Sequence, residues 1–289
     1  MELVDPLDPD DAAGRAVRFV AARTVAAPPP APDVRVTLNF HPDRLVAGRL
    51  VLERMADDGI YASQFVTGTS GGGLTAHPGG DRWRWESRLF GGAYDTASAD
   101  RRPVYGALHD RGGPVGAAPR FGSAHLRLTA PTLRRITFCH PDSCLEPTAQ
   151  ATVDGVTALA DAARRDREAG RCDPLDDYVE AQVHGGVRLD RDVEAVVLDP
   201  SHRGTGVEAA ARRLRCPVEW HPGFRLPVPE LLLHPSYRGG AFVELGAAIA
   251  VRGVVTARDI GDASREGRGD EQALKRVWHL VARFGAPPD

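Results

Sequence analysis

Five short segments of this chain bring together side chains that could do chemistry. The segment Tyr178-Val179-Glu180-Ala181-Gln182-Val183-His184-Gly185 alternates in character. As a strand it sets Glu180, Gln182 and His184 on one face and Val179, Ala181 and Val183 on the other. A carboxylate, an amide and an imidazole in a row make a catalytic or binding strip. The plain alternative is a solvent-facing edge strand, because three polar groups buried without partners are costly. Asn39-Phe40-His41-Pro42-Asp43-Arg44 gathers polar residues where a strand should end, and loops at strand ends carry function. Pro42 fixes that turn and orients His41 and Arg44; a capping turn would use the same residues.

The stretch from Tyr61 to Gly73 includes Thr67, Gly68, Thr69 and Ser70. Its backbone N–H groups and hydroxyls suit phosphate, ribose or amide recognition, although a surface loop has the same composition. It carries neither GxGxxG after a strand nor the GK[ST] of a phosphate loop. Gly79-Gly80-Asp81-Arg82-Trp83-Arg84-Trp85-Glu86 interleaves arginine and tryptophan. Those residues could stack on a flat ring or, if extended, form a strand half packed in the core. Pro119-Arg120-Phe121-Gly122-Ser123 reads as a tight turn feeding a strand, with Arg120 available for an anion.

Other chemistries find less support. The ten histidines form no HxH or HExxH, and Cys139, His140, Asp142 and Cys144 fit no standard zinc spacing. A metal-dependent hydrolase would draw on His41, His125, His184 or His221. No GxSxG elbow is present for serine hydrolysis. A carboxylate pair for glycoside cleavage would join Glu180 to Asp81 or Glu86. All but one of the 36 basic residues are arginine, and Lys275 is the exception. A Schiff-base or phosphate-loop lysine therefore has one candidate, on a C-terminal helix, which argues against both mechanisms.

The elements that must position these groups follow from periodicity. Residues 10 to 26 read as an amphipathic helix capped by Asp10 or Asp11, and the Pro-rich run 27 to 32 as a stiff linker. Val34 to Phe40 is a strand. Leu45 to Asp57 has helical spacing and closes at Gly59. Residues 60 to 123 have weak periodicity, and so long a stretch without structure points to function. Ala124 to Leu128 and Arg134 to Phe138 read as paired strands around Pro131. A helix over 153 to 168, strands over 178 to 184 and 193 to 198, and helices over 206 to 214 and 271 to 284 complete the pattern. No regular βαβ rhythm emerges, so the expected class is α+β. The expected organisation is an N-terminal helix and Pro-rich linker over 1–32, then one α+β domain over 33–289. DPSHRG at 199–204 and HPSYRG at 234–239 share turn chemistry.

Composition bounds the rest. A chain of 289 residues, 42% hydrophobic and 26% charged, can bury a sizeable core. Its formal net charge of −3 gives no strong nucleic-acid signature. No apolar run approaches the roughly 18 residues of a membrane span, so no membrane partner is expected. Four cysteines without a CxxC pair do not make a disulfide framework. The start MELVDPLDPDDAAG lacks a basic and an apolar region. A cytoplasmic location is expected, with export by a route lacking such a signal left open.

In combination and in order, TLNFHPDR, YASQFVTGTSGG, GGDRWRWE, YGAL, PRFGSAHLRL, TFCHPDS and YVEAQVHGGV resemble a bacterial and fungal family known as a domain of unknown function. The likeness covers about residues 34 to 226. More distantly, the order resembles ADP-ribosyltransferases, with an Arg or His on the first core strand, a hydroxyl-rich segment next and a Glu on a later strand. That resemblance implies an ADP-ribosyltransferase-like split β core with flanking helices. It implies NAD as substrate and a macromolecular acceptor, most simply a protein. Glu180 would be the catalytic carboxylate, with Gln182 orienting the acceptor. His41 or Arg44 would take the first-strand role. Tyr61 and Thr67 to Ser70 would line the nicotinamide end, and Arg120 and Ser123 would complete the NAD site. Two departures stand out: the acidic pair Glu-x-Glu is Glu-x-Gln here, and Thr-Gly-Thr-Ser replaces Ser-Thr-Ser. A non-catalytic module holding a nucleotide or peptide in the same groove is the alternative that the first departure favours.

Overall fold

A computed structural model describes residues 7–68 and 76–287. Its centre is an eight-stranded sheet made of β1 (Arg35–Phe40), β2 (Val104–His109), β3 (Ala124–Leu128), β4 (Ile136–His140), β5 (Ala149–Thr152), β6 (Glu180–Val183), β7 (Val193–Leu198) and β8 (Val218–Trp220). The spatial order is β8-β7-β3-β1-β2-β6-β4-β5, antiparallel throughout except for the parallel pair β7–β8. Helices flank the sheet, so the protein is α+β. Among the described residues no helix is long and apolar enough to cross a membrane.

The sheet is buried on both faces at its centre. Val36, Leu38, Leu126 and Phe138 join the main core, while Thr37, Asn39 and Gln182 are buried on β1 and β6. Helices α2 (Val51–Asp58), α4 (Val156–Glu168) and α5 (Gly206–Ala211) supply Leu52, Met55, Leu159 and Val207 to that core. Helix α1 (Ala12–Ala21) is capped by Asp11, whose carboxylate accepts from Gly14 N–H. Its Ala16 and Val20 pack with Leu89, Phe90 and Tyr94 at and beyond the end of α3 (Asp81–Leu89). A second core joins Phe224 and Leu226 to α6 (Gly240–Ile249), α7 (Ala257–Arg265) and α8 (Glu271–Phe284), with Trp278 fully buried at its centre.

Several expectations change. The helix read over Leu45 to Asp57 starts later, at Val51. Leu45–Val46 and Arg49–Leu50 instead form a tiny hairpin. Its turn residues Ala47 and Gly48 both have positive φ, as a tight hairpin turn requires. The C-terminal end holds, because Gly59 adopts the left-handed conformation at φ 68°. β3 and β4 are not partners, since β1, β2 and β6 lie between them. The Pro131 segment is a short helical turn over Ala130–Arg135 that carries the chain across the sheet. The Arg-Trp segment is helix α3 rather than an extended strand. Strand β6 is interior, between β2 and β4, not an edge. The two Pro-Ser-x-Arg-Gly segments close the same kind of turn, His202 N–H to Asp199 O and Tyr237 N–H to His234 O.

Gly122 controls how the Pro119–Phe121 turn meets β1. Its φ of 154° brings its backbone against Phe40, and a Cβ there would lie 2.0 Å from the Phe40 carbonyl carbon. Asn39 Nδ2 also donates to Gly122 O at 3.3 Å. Gly122→Ala should therefore cost about 3 kcal/mol or more, from overpacking and backbone strain together. Urea unfolding measures it; a loss below about 1 kcal/mol would mean that the loop relaxes freely.

Candidate functional site

The site is built where the end of β1, the start of β2 and the start of β6 converge under α2, α3 and two loops. A cavity of 480 Å³ opens there, lined by Phe40, Tyr105, Tyr178 and Glu180 among others. That volume is within the usual range for small-ligand sites, about 300–1,000 Å³. Aromatic walls come from Tyr61, Trp85, Tyr105, Phe121 and Tyr178, and cationic ones from Arg44, Arg54, Arg82 and Arg120.

Glu180 is the centre of the polar network. Its Oε2 accepts from the Ser143 hydroxyl at 3.0 Å, and its Oε1 accepts from Gln182 Nε2 at 2.9 Å. It is 4% exposed. Burial, and then the neighbouring Asp142 carboxylate, push its carboxyl up to about 7, against the pull of Arg82. For Asp142 burial acts upward too, but hydrogen bonds from the Cys144 N–H and the Tyr178 hydroxyl prevail and hold it below the usual carboxylate range. The two carboxyl groups thus separate into one that titrates near neutrality and one that stays ionised.

Behind Glu180 runs a file of buried hydrogen bonds. Thr137 Oγ1 donates to Gln182 Oε1 at 2.7 Å and lies 2.9 Å from His184 Nε2. His184 Nδ1 is 2.8 Å from the Tyr94 hydroxyl. Burial, reinforced by Arg135, lowers His184 to about 3, so its ring is neutral. One proton arrangement satisfies every member: Tyr94 O–H donates to Nδ1, Nε2–H to Thr137, and Thr137 to Gln182. The Gln182 amide is then oriented with its NH₂ toward Glu180. This answers the cost of burying Glu180, Gln182 and His184 on one face: each is partnered.

Arg82 lines the cavity as well. Its guanidinium carbon lies 4.1 Å from the Tyr105 ring centroid. It is 7% exposed, and among the described residues its Nε and Nη1 have no hydrogen-bond partner. Tyr105 is fixed from below, because its hydroxyl donates to Glu86 Oε1 at 2.9 Å. Glu86 is also ion-paired with Arg102, and burial still raises its carboxyl to about 7.

These two raised glutamates give a pH signature. Each folded-state value exceeds the unfolded one, so each contribution is complete below about 4.5 and is lost as pH rises through about 7. The expected decline across that window is about 2–3 kcal/mol per group. Glu180→Gln should remove one share of it, so wild type and variant should diverge in melting temperature between pH 5 and 8. Parallel pH profiles would refute the shift at Glu180.

The structure gathers part of the residue set read from the sequence. Glu180, His41, Arg44, Tyr61, Thr67 and Arg120 line the cavity. Gln182 lies behind Glu180 and does not line it. Ser123 is fully buried, with its carbonyl bound to His221 Nε2 at 2.7 Å. Gly68 caps the short helix Gln64–Thr67 in the left-handed conformation, and Thr69 and Ser70 lie outside the described residues. His41 packs edge-on to Trp278, and burial lowers it to about 3. Arg44 is ion-paired with Glu271 and Arg120 with Asp176. Neither Asp81 nor Glu86 lines the cavity as a second carboxylate; Asp142 does. His41, His125, His184 and His221 do not converge, and no group of three His, Cys, Asp or Glu able to hold a metal occurs among the described residues.

Sequence reasoning missed the parts played by Arg82, Tyr105, Asp142 and Ser143. Arg82 sat in a segment read for stacking, and its helical spacing, once recognised, places Arg82, Trp85 and Glu86 on one face. Asp142 and Ser143 follow β4, and only the β4–β6 pairing brings them to Glu180.

Fold and site together define an α+β protein with a buried glutamate at the wall of an aromatic, arginine-lined cleft. The chain belongs to the family described as "Protein of unknown function (DUF3626)", whose model matches residues 35–167 and 157–284. No curated protein matches the chain.

Proposed function

We propose that the protein breaks the nicotinamide–ribose bond of NAD and transfers ADP-ribose to a macromolecule, a protein being the simplest acceptor, or to water. The observation that carries this reading is Glu180, held at the cavity wall by Ser143 and Gln182. In the reaction the C1′–N bond breaks, and its electron pair stays with nicotinamide, which leaves neutral. The ribose C1′ becomes oxocarbenium-like, and a carboxylate beside it stabilises that charge. The acceptor's oxygen or nitrogen bonds to C1′, and its proton passes to Glu180. A carboxyl group at about 7 suits both duties.

His41 and Arg44 would contact NAD from the end of β1, and Tyr61 and Thr67 would lie at the nicotinamide end. Gln182 acts as a positioning residue, since its amide reaches Glu180 rather than the cavity. The Glu-x-Gln departure then costs no catalytic carboxylate. The same proposal carries the split β core of an ADP-ribosyltransferase-like fold, with β1 and β6 on either side of β2 supplying the two ends of the site.

The binding half of the proposal is tested by melting the protein with and without NAD. A ligand at a hundred times its Kd stabilises by about 2.7 kcal/mol, enough for an upward shift in Tm. NAD should give that shift and adenosine should not match it. No shift at millimolar NAD contradicts the reading.

A further inference from the structure

The chain's single lysine, Lys275, lies on α8, and its charge bears on His41, which lines the cavity. Glu271 at the start of α8 is ion-paired with Arg44. Trp278, two turns on, packs against His41 and donates from Nε1 to Pro119 O at 2.9 Å. Lys275 lies between them at helical spacing, so it faces the same region, where Arg44 and Arg120 line the cavity. His279 follows one turn after Lys275.

The charges there do not balance. Arg44 is met by Glu271, and Arg120 by Asp176. Arg238 stands 3.9 Å from both Asp173 and Asp176. No carboxylate within ion-pair distance of Lys275 is found among the described residues. Burial, and then Arg120, Arg276, Arg44 and Arg238, pull its ammonium down to about 8. His279 is 1% exposed, and among the described residues neither ring nitrogen has a hydrogen-bond partner. Arg120 Nε is buried and likewise without a hydrogen-bond partner among the described residues. Burial, and then Arg120, lower His279 to about 3, so its neutral ring offers one N–H. That N–H, the Lys275 ammonium and the buried Nε–H of Arg120 are donors short of acceptor oxygens, as an anion would supply.

We propose that Lys275, His279 and Arg120 form a phosphoryl-binding subsite beside the cavity, which takes a phosphate group of the substrate while Glu180 faces the ribose. The inference rests on the reading of the cavity as the substrate site. It does not require that the substrate be NAD, because any phosphate ester or diphosphate offers the same oxygens.

The test is calorimetric titration of the full chain with inorganic pyrophosphate at low ionic strength, using wild type, Lys275→Met and Lys275→Arg. Wild type should bind one equivalent. Lys275→Met, which keeps the aliphatic stem, should bind about tenfold more weakly, and Lys275→Arg should recover most of the loss. Absence of pyrophosphate binding to wild type overturns the subsite, as does equal binding by Lys275→Met. The two proposals fail separately. Lys275-dependent pyrophosphate binding without any effect of NAD keeps the subsite and removes the NAD reading. Nicotinamide release with the same KM in wild type and Lys275→Met keeps the NAD reading and removes the subsite.

Discussion

Glu180→Gln should lower nicotinamide release from NAD by about a thousandfold or more while NAD still raises the melting temperature. Glutamine keeps the shape of the side chain and can still meet Gln182 and Ser143, so the cavity should survive. It cannot carry the negative charge that stabilises an oxocarbenium-like ribose, nor take the acceptor's proton. The split between lost turnover and retained binding matters. Loss of both would mean that Glu180 builds the cavity rather than acts in it. Turnover within tenfold of wild type would move the chemistry to another group, with Asp142 first in line because it lines the same cavity and stays ionised.

Glu86→Ala should cost about 3–5 kcal/mol of stability, the largest structural loss expected of any single change at this site. Glu86 is fully buried, and its two oxygens meet Arg102 and the Tyr105 hydroxyl. Arg102 is 3% exposed, donates also to Tyr94 O at 2.8 Å, and lies 4.3 Å over the Phe65 ring. Truncating Glu86 strands that guanidinium without a counter-charge and frees Tyr105 beneath Arg82. A loss of this size is a large part of the roughly 5–15 kcal/mol that holds a typical domain together. Urea unfolding of Glu86→Ala beside a Glu86→Leu/Arg102→Met double variant separates the causes. The double variant should recover much of the loss, because it strands no charge. A single variant that loses less than about 1 kcal/mol would contradict the account of this pair.

The elements legible in the sequence were those with one strong period. β1, β6, β7 and α8 follow their patterns closely, and Asp11 and Gly59 cap where local chemistry says they should. The hairpin at 45–50 was hidden because its apolar residues also fit a helical stripe, and only the Ala47-Gly48 turn separates the two. Helix α3 was hidden by its alternating Arg-Trp spelling, which imitates a strand. Local periodicity does not mark helices α6 and α7; the run from Gly240 to Ile249 is apolar almost all round, as a helix packed against others must be, and shows little period.

The site divides in the same way. Glu180 and its two same-face neighbours were readable from alternation alone, and His41, Arg44 and Arg120 from turn chemistry. What the neighbours do was not readable. The Gln182 amide meets Glu180 rather than the cavity because Thr137, on β4, pairs with it across the sheet. Arg82 and Asp142 reach Glu180 from segments about forty or more residues away, and no local pattern encodes such contacts.

The most direct test of the central claim is nicotinamide release from NAD by purified wild-type protein, run beside Glu180→Ala with the fold of both confirmed by their melting curves. Wild type should release nicotinamide, and the variant should not. Equal release by both proteins would contradict the role of Glu180. No release by a wild type that NAD also fails to stabilise would contradict the NAD reading itself.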